Sequence, residues 1–247
     1  MDGGHGYQTT RTLRSYHDAV VQPPSVAPQY SFRAPPLQER HGQSSRRWHG
    51  RIVGGPLKRA FDIAASASAL LALSPLLVGI WLAVRLESPG PGFFRQRRGG
   101  FQGRPFPIYK FRTMRASEDK TIGQAKQGDV RTTKLGKFLR EKSIDELPQL
   151  INVLMGDMSI VGPRPHALAH DRQFSTLDRR YIGRHRARPG ITGLAQVSGS
   201  RGPTDTPEKI RTRTEHDLRY VSGWSWKMDI DIMVRTVSVV LKNRDAF

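Results

Sequence analysis

Apolar and polar positions divide the chain into a quiet N-terminal stretch, one long apolar run, and a series of short periodic segments. Residues 1 to about 50 hold no sustained apolar period and are rich in Gly, Pro, Ser, Gln and Arg, the composition of a disordered basic tail. From Ile63 to Val84 there are 22 residues without a charge, bracketed by Asp62 and Arg85. About 20 apolar residues suffice to span a bilayer. Ser74-Pro75 interrupts the run near its middle, where proline removes a backbone hydrogen bond and bends a helix. Arg46, Arg47, Arg51, Lys58 and Arg59 precede the run, and Arg85, Arg95, Arg97, Arg98 and Arg104 follow it. Positive flanks mark the cytoplasmic side, so both ends are expected there. A kinked helix that enters one leaflet and returns satisfies both constraints, with Ser74 helping to meet backbone groups that Pro75 frees. The alternative is a helix buried in a soluble core.

Shorter elements follow. Ser88 to Gly92 reads as a turn, and Pro107 to Phe111 as a short strand. Lys110 and Arg112, two apart, share a face if the strand continues; they meet phosphate there or form a solvated basic face. Residues 116 to 133 read as a loop or frayed helix. Lys134 to Lys142 regains a helical spacing through Leu135, Phe138 and Leu139. Ser143 with Glu146 forms the pattern of a capping box, opening a helix that carries Leu147, Leu150, Ile151 and Leu154 and stops at Gly156. Residues 166 to 187 look helical; His166, His170 and His185 read as solvated histidines in preference to metal ligands. Residues 188 to 199 mix turn residues with an extended run that brings Thr192 and Gln196 to a ligand. Lys227 to Lys242, preceded by Trp224 and Trp226, suits the membrane interface, packing on the apolar run, or core burial alike. The fold class is mainly α with short β segments, with a tail over 1–55 and one domain over 56–247 that includes a re-entrant helix at about 60–86.

Charge narrows the partners. The chain has 40 Lys plus Arg against 21 Asp plus Glu, a net charge of +19. Residues 1–59 hold nine basic and three acidic residues, so most of the excess lies beyond the tail. Such a balance calls for nucleic acid, a membrane surface or a phosphorylated substrate. The absence of cysteine excludes disulfides and thiolate chemistry.

Candidate chemistry gathers between residues 140 and 165. Asp145 and Glu146 are adjacent in what reads as a first helical turn, where acids complement the dipole and where a phosphate also fits. Arg140 lies one turn upstream, and Arg164 is fixed between Pro163 and Pro165. Two acids, two arginines and a helix start suit a metal-bound diphosphate.

SIDELPQLINVLMGDMSIVGPRP closely resembles the core of the bacterial polyprenyl-phosphate hexose-1-phosphate transferases, the bacterial sugar transferases or monotopic phosphoglycosyl transferases. KRAFDIAAS, KFRTM and RPGITGLAQVSG occur in the same order, so the likeness covers roughly residues 56 to 247. It implies a transferase that moves hexose-1-phosphate from a UDP-sugar to polyprenyl phosphate, releasing UMP and starting exopolysaccharide or lipid-linked glycan synthesis. Asp145 is then the nucleophile, Glu146 a partner in holding Mg²⁺, and Arg140 and Arg164 phosphate ligands. Lys110, Arg112, Arg188 and Gln196 belong to the substrate site, and Ser74-Pro75 to a re-entrant helix on the cytoplasmic face of the bacterial inner membrane. Partners are the UDP-sugar, polyprenyl phosphate and membrane lipids, without nucleic acid; a homo-oligomer stays open. Ala195 replaces a usual tryptophan, and an arginine falls one residue late, at Arg201, which leaves the sugar unassigned. The competing readings are an inactive membrane scaffold and a basic nucleic-acid-binding protein.

Overall fold

The computed structural model describes residues 53–115 and 128–242, all within one compact unit, Arg47–Phe247. The expected tail up to Ile52 and most of the loop expected over 116–133 lie outside the described residues.

Helix α1, Gly55–Glu87, contains the whole apolar run and passes through Pro75. Pro75 has no N–H for the carbonyl of Leu71, four residues back, and the Ser74 hydroxyl donates to that carbonyl at 2.8 Å. This is the compensation expected for Ser74. The burial of α1 is inverted relative to a soluble helix. Its buried residues are Lys58, Asp62, Ser66 and Val84, while Leu57, Ile63, Leu71, Leu76, Val78, Leu82 and Leu86 are exposed. Only 6% of its most apolar 18-residue window is buried, which removes the soluble-core alternative.

Lys58, Asp62 and Ser66 recur every four residues and form one inward stripe. Lys58 donates to Asp229 at 2.7 Å, and Asp62 accepts from the Ile160 N–H at 3.1 Å. Asp229 also accepts from the Tyr220 hydroxyl at 2.9 Å and the Trp224 indole at 3.0 Å. A buried charge survives only when paired and hydrogen-bonded. Here the pairing ties the start of α1 to the chain around residues 220–229.

After α1 come the antiparallel hairpin β1 (Phe93–Gly99) and β2 (Pro105–Phe111), then α2 (Lys134–Glu141), capped by the Thr133 hydroxyl. The helix expected to open at Ser143 starts later. Ser143 adopts a left-handed backbone, φ 56°, and its side chain caps nothing. Ile144–Glu146 form a separate 3₁₀ turn, and α3 spans Gln149–Met155 with Pro148 at its N-cap. The capping-box pattern fails because Pro148 has no N–H to continue the turn into one helix. Gly156 does stop α3, at φ 94°, with its N–H on the last carbonyls.

Strand β3 (Ser159–Val161) pairs in parallel with β4 (Gly190–Thr192), bringing the Pro-Arg-Pro segment beside the 188–199 loop. Between them, α4 (Leu168–Leu177) and a 3₁₀ segment (Arg179–Arg186) are separated by Asp178, whose carboxylate caps the second. After β4 come α5 (Leu194–Val197), α6 (Pro207–Gly223) and α7 (Trp226–Lys242). Val161, Leu194, Val197, Tyr220 and Ile232 form one core cluster, so α7 is partly core, while Ile230, Val234, Val237 and Leu241 remain exposed. A second cluster, Val84, Phe111 and Leu139, seats the C-terminal end of α1 on β2 and α2. The class is mainly α with short β segments.

Replacing Lys58 with Met is expected to cost about 3–5 kcal/mol, because it leaves Asp229 buried and uncompensated. Thermal unfolding in detergent measures this, and a loss below about 1 kcal/mol would mean that water or another group balances Asp229.

Candidate active site

Three segments meet at one carboxylate. Glu146, from the 3₁₀ turn, receives Lys110 Nζ from the end of β2 at 2.6 Å. Arg164 grips the same carboxylate with both terminal nitrogens, Nη1 on Oε2 at 2.9 Å and Nη2 on Oε1. This is the fork-on-carboxylate geometry that lysine does not reproduce. Pro163 and Pro165 are buried on either side and hold the Arg164 backbone. Despite the cost of burial, Arg164 and Lys110 keep Glu146 well below the usual carboxylate range. The guanidinium is pushed the other way, up, by Glu146.

Asp145 differs from its neighbour. Its residue is 8% exposed, and its carboxylate has no hydrogen-bond partner among the described residues. Burial pushes it up to about 6; Lys110, Arg140 and Arg164 pull down against that, and Glu146 adds to it. The left-handed turn at Ser143 makes this placement, reversing the chain between α2 and the acids. Two adjacent acids are thus driven apart, one permanently charged and clamped, the other unpaired and titrating near neutrality.

Both acids line a cavity of about 1450 Å³. Twelve Lys or Arg side chains line it as well, against these two acids. Arg140 is anchored by its Nε on the Thr113 hydroxyl at 2.8 Å, and it lines the cavity near Asp145. Trp81, Phe93, Leu150, Met233 and Val240 supply an apolar wall reaching from α1 to α7.

The structure sorts the remaining candidates. Lys110 and Arg112 do not act as a pair. Arg112 is buried and donates to the carbonyls of Val84 (3.1 Å), Ser88 (2.6 Å) and Pro89, which caps the end of α1. Arg188 does not line the cavity; its Nε bonds the Gly156 carbonyl at 3.2 Å and its guanidinium lies over Phe101. Gln196 lines the cavity, with its amide on the Ile191 carbonyl at 3.1 Å and its Oε1 buried without a partner. Ala195 is buried in α5 outside the cavity, whereas Arg201 lines it and donates to the Ser143 hydroxyl.

His166 is not solvated. Its ring is buried, with Nδ1 on the Tyr181 hydroxyl at 2.6 Å and Nε2 facing Arg213 Nη1 at 3.2 Å. Tyr181 donates onward to Asp171. This order fits the neutral tautomer with hydrogen on Nδ1. Burial, with Arg184 and Arg213 beside it, holds His166 well below its ordinary value. Arg184 bonds Asp217 at 2.9 Å and the Arg164 carbonyl, so this network braces Arg164 from behind. No group of three or more metal-ligating side chains occurs among the described residues.

Arg98, Arg184 and Arg213 were not singled out by sequence. Arg213 and Asp217 stand four apart on α6, a helix announced by Thr206-Pro207-Glu208, and that spacing was the available signal.

Residues 53–243 match the protein family described as bacterial sugar transferase. The chain belongs to this family. It is 53% identical over 192 residues to a UDP-glucose:undecaprenyl-phosphate glucose-1-phosphate transferase of Escherichia coli, covering 77% of this chain and 41% of that protein. A protein of the same name from Caulobacter vibrioides is 50% identical over 203 residues, 78% of this chain and 76% of its own length. The exopolysaccharide production protein PSS of Rhizobium leguminosarum is 48% identical over 186 residues, 73% of this chain and 93% of its own. Membership in a family of transferases leaves the nucleic-acid reading without support.

The raised value of Asp145 has a consequence for stability. Its charged form is disfavoured in the fold, so the penalty is absent below about pH 4, grows through about pH 6, and is full above. Asp145→Asn is therefore expected to stabilise the protein by about 1–3 kcal/mol at pH 7.5, with the gain vanishing near pH 4. Thermal unfolding across that range reads it; a gain independent of pH would refute the burial argument.

Proposed function

We propose that the protein transfers glucose 1-phosphate from UDP-glucose to undecaprenyl phosphate, releasing UMP and initiating an exopolysaccharide or lipid-linked glycan. The observation that carries this reading is the unpartnered Asp145 beside a Glu146 already neutralised by Lys110 and Arg164, inside a strongly basic cavity. The names of the relatives supply the donor and acceptor.

In the first step an Asp145 oxygen attacks the β-phosphorus, the bond from that phosphorus to the bridging oxygen breaks, and UMP leaves with the electron pair. In the second, an oxygen of undecaprenyl phosphate attacks the same phosphorus and frees the carboxylate. Arg140 and Arg164 balance charge that grows on the phosphate oxygens. Because the cavity is partly desolvated, those guanidiniums act more strongly than they would in water. Asp145 leaves both oxygens free for Mg²⁺, and Glu146 keeps the lone pairs that Lys110 and Arg164 do not take. The ion typically takes one or two carboxylates and completes its shell with water and substrate phosphate. Asp145 and Glu146 would hold it, and the ion would supply further neutralisation of the diphosphate.

We further propose that α1 is re-entrant and that the domain rests on the cytoplasmic face of the inner membrane. Both ends of α1 pack on the same folded unit. Lys58 and Asp62 meet Asp229 and β3 at one end, and Val84 meets Phe111 and Leu139 at the other. A helix crossing the bilayer would part these contacts by about 30 Å. Pro75 lies between them, and basic residues flank both ends.

Two measurements test these readings. With Mg²⁺ and UDP-glucose but no acceptor, the purified protein is expected to release one equivalent of UMP and gain a hexose-phosphate in intact mass, while Asp145→Asn does neither. Full transfer by Asp145→Asn would remove the nucleophile. Because the native chain has no cysteine, Leu57→Cys and Leu86→Cys report topology without background. Both are expected to react with an impermeant maleimide only from the cytoplasmic side; labelling from opposite sides would mean a full crossing.

A further inference from the structure

Of the twelve cations that line the cavity, Lys110, Arg131 and Arg164 are paired with carboxylates. Arg112 is spent on the carbonyls at the end of α1, and Arg98, Arg201 and Arg213 stand out among the rest. Arg98, Arg201 and Arg213 all line the cavity, and every bond that anchors them goes to a neutral acceptor. Arg213 is held by His166 Nε2 at 3.2 Å, by the Gly202 carbonyl at 2.8 Å and by the Ser200 carbonyl. Arg201 donates to the Ser143 hydroxyl, and Arg98 reaches the Pro165 carbonyl at 3.5 Å. Each is positioned without losing its charge.

Each also keeps a buried donor with no partner: Arg98 Nε, Arg201 Nη1 and Arg213 Nε. Unsatisfied donors on buried cations are costly and rare, so several in one wall call for a missing acceptor. The protein does not supply it. Glu146 is taken by Arg164 and Lys110, and Asp171 and Asp217 by Tyr181 and Arg184. Burial and the neighbouring Arg164 bring both Arg98 and Arg213 down to about 10, even though Glu146 and Asp171 pull Arg98 up and Asp217 does the same for Arg213. The three are anchored around the acid pair and Arg164: Arg201 on Ser143, two residues before Asp145, Arg98 on the carbonyl of Pro165, and Arg213 on His166.

We infer that Arg98, Arg201 and Arg213 form a second phosphate seat, beside Arg164 in the same cavity, that holds the phosphate of the departing nucleotide. The inference rests on the transfer reaction proposed above, in which the attacked phosphorus sits at Asp145 and Arg164. The α-phosphate, one bridging oxygen further on, then falls against the guanidiniums beside Arg164. Guanidiniums suit a dianionic UMP because they bind phosphate oxygens by charge and paired hydrogen bonds together.

The test is UMP binding to the full chain in detergent, by calorimetry, beside steady-state transfer. Arg98→Gln carries the decision, since Arg98 has only one long contact to the protein and its loss uncaps nothing. In Arg98→Gln and Arg201→Gln the Kd for UMP is expected to rise at least tenfold and the KM for UDP-glucose to rise with it. The KM for undecaprenyl phosphate should stay within twofold, uridine should bind both variants as it binds the native chain, and Arg98→Lys should recover part of the UMP affinity. Unchanged UMP binding in Arg98→Gln would overturn the seat. A rise confined to the KM for undecaprenyl phosphate would overturn the nucleotide assignment in favour of the acceptor's phosphate. A native chain that binds UMP through these arginines but never releases it from UDP-glucose would sink the proposed reaction and leave the seat standing.

Discussion

The site depends on how Glu146 is held. Lys110 arrives from a hairpin, Arg164 from a proline-framed segment, and Glu146 from a 3₁₀ turn, so one carboxylate fastens three parts of the chain. The clamp also makes the chemistry asymmetric. With its cations engaged by Glu146, Asp145 keeps a carboxylate that is buried, unpaired and available. A pair of acids equally shared by the same cations would both be quiet. Strong pairing of one is what leaves the other without a partner.

The second constraint is the reversal of α1. A soluble helix hides its aliphatic stripe and shows its charges; α1 hides Lys58, Asp62 and Ser66 and shows leucine, valine and isoleucine. Both surfaces are satisfied only if the outside is apolar. The inward charges are therefore the means by which a lipid-facing helix is fixed to a water-facing domain. The apolar wall of the cavity begins on this helix at Trp81 and ends on α7, so the same arrangement gives the site one side of hydrocarbon character and one of arginine.

Much of this is legible in the sequence alone. Uncharged length with Pro75 in its middle announced α1, and the hydroxyl of Ser74 met the carbonyl it was expected to meet. The acid pair, Arg140 and Pro-Arg-Pro stand out because several rare features crowd into a short stretch, and the fold brings their charged side chains to one cavity. What escaped were matters of three-dimensional choice. Lys110 and Arg112 share a face on paper, yet the chain leaves the strand between them and turns Arg112 onto the end of α1. Ser143 and Glu146 carry the spacing of a capping box, but Pro148 two residues on prevents the helix from starting there. His166 looked like any surface histidine, because nothing local reveals that Tyr181, Arg184 and Arg213 converge on it from distant segments.

The Lys58–Asp229 bond also dictates an order of assembly. Its partners are 171 residues apart, and the bond from Asp62 to Ile160 spans 98. At about 5–20 residues per second, a ribosome needs roughly 10–35 seconds to deliver Asp229 after Lys58 has emerged. Throughout that interval Lys58 and Asp62, 4.0 Å apart and one turn along the helix, have only each other. Fixing α1 to the domain waits for α7, so the first helix to be made is among the last to be secured.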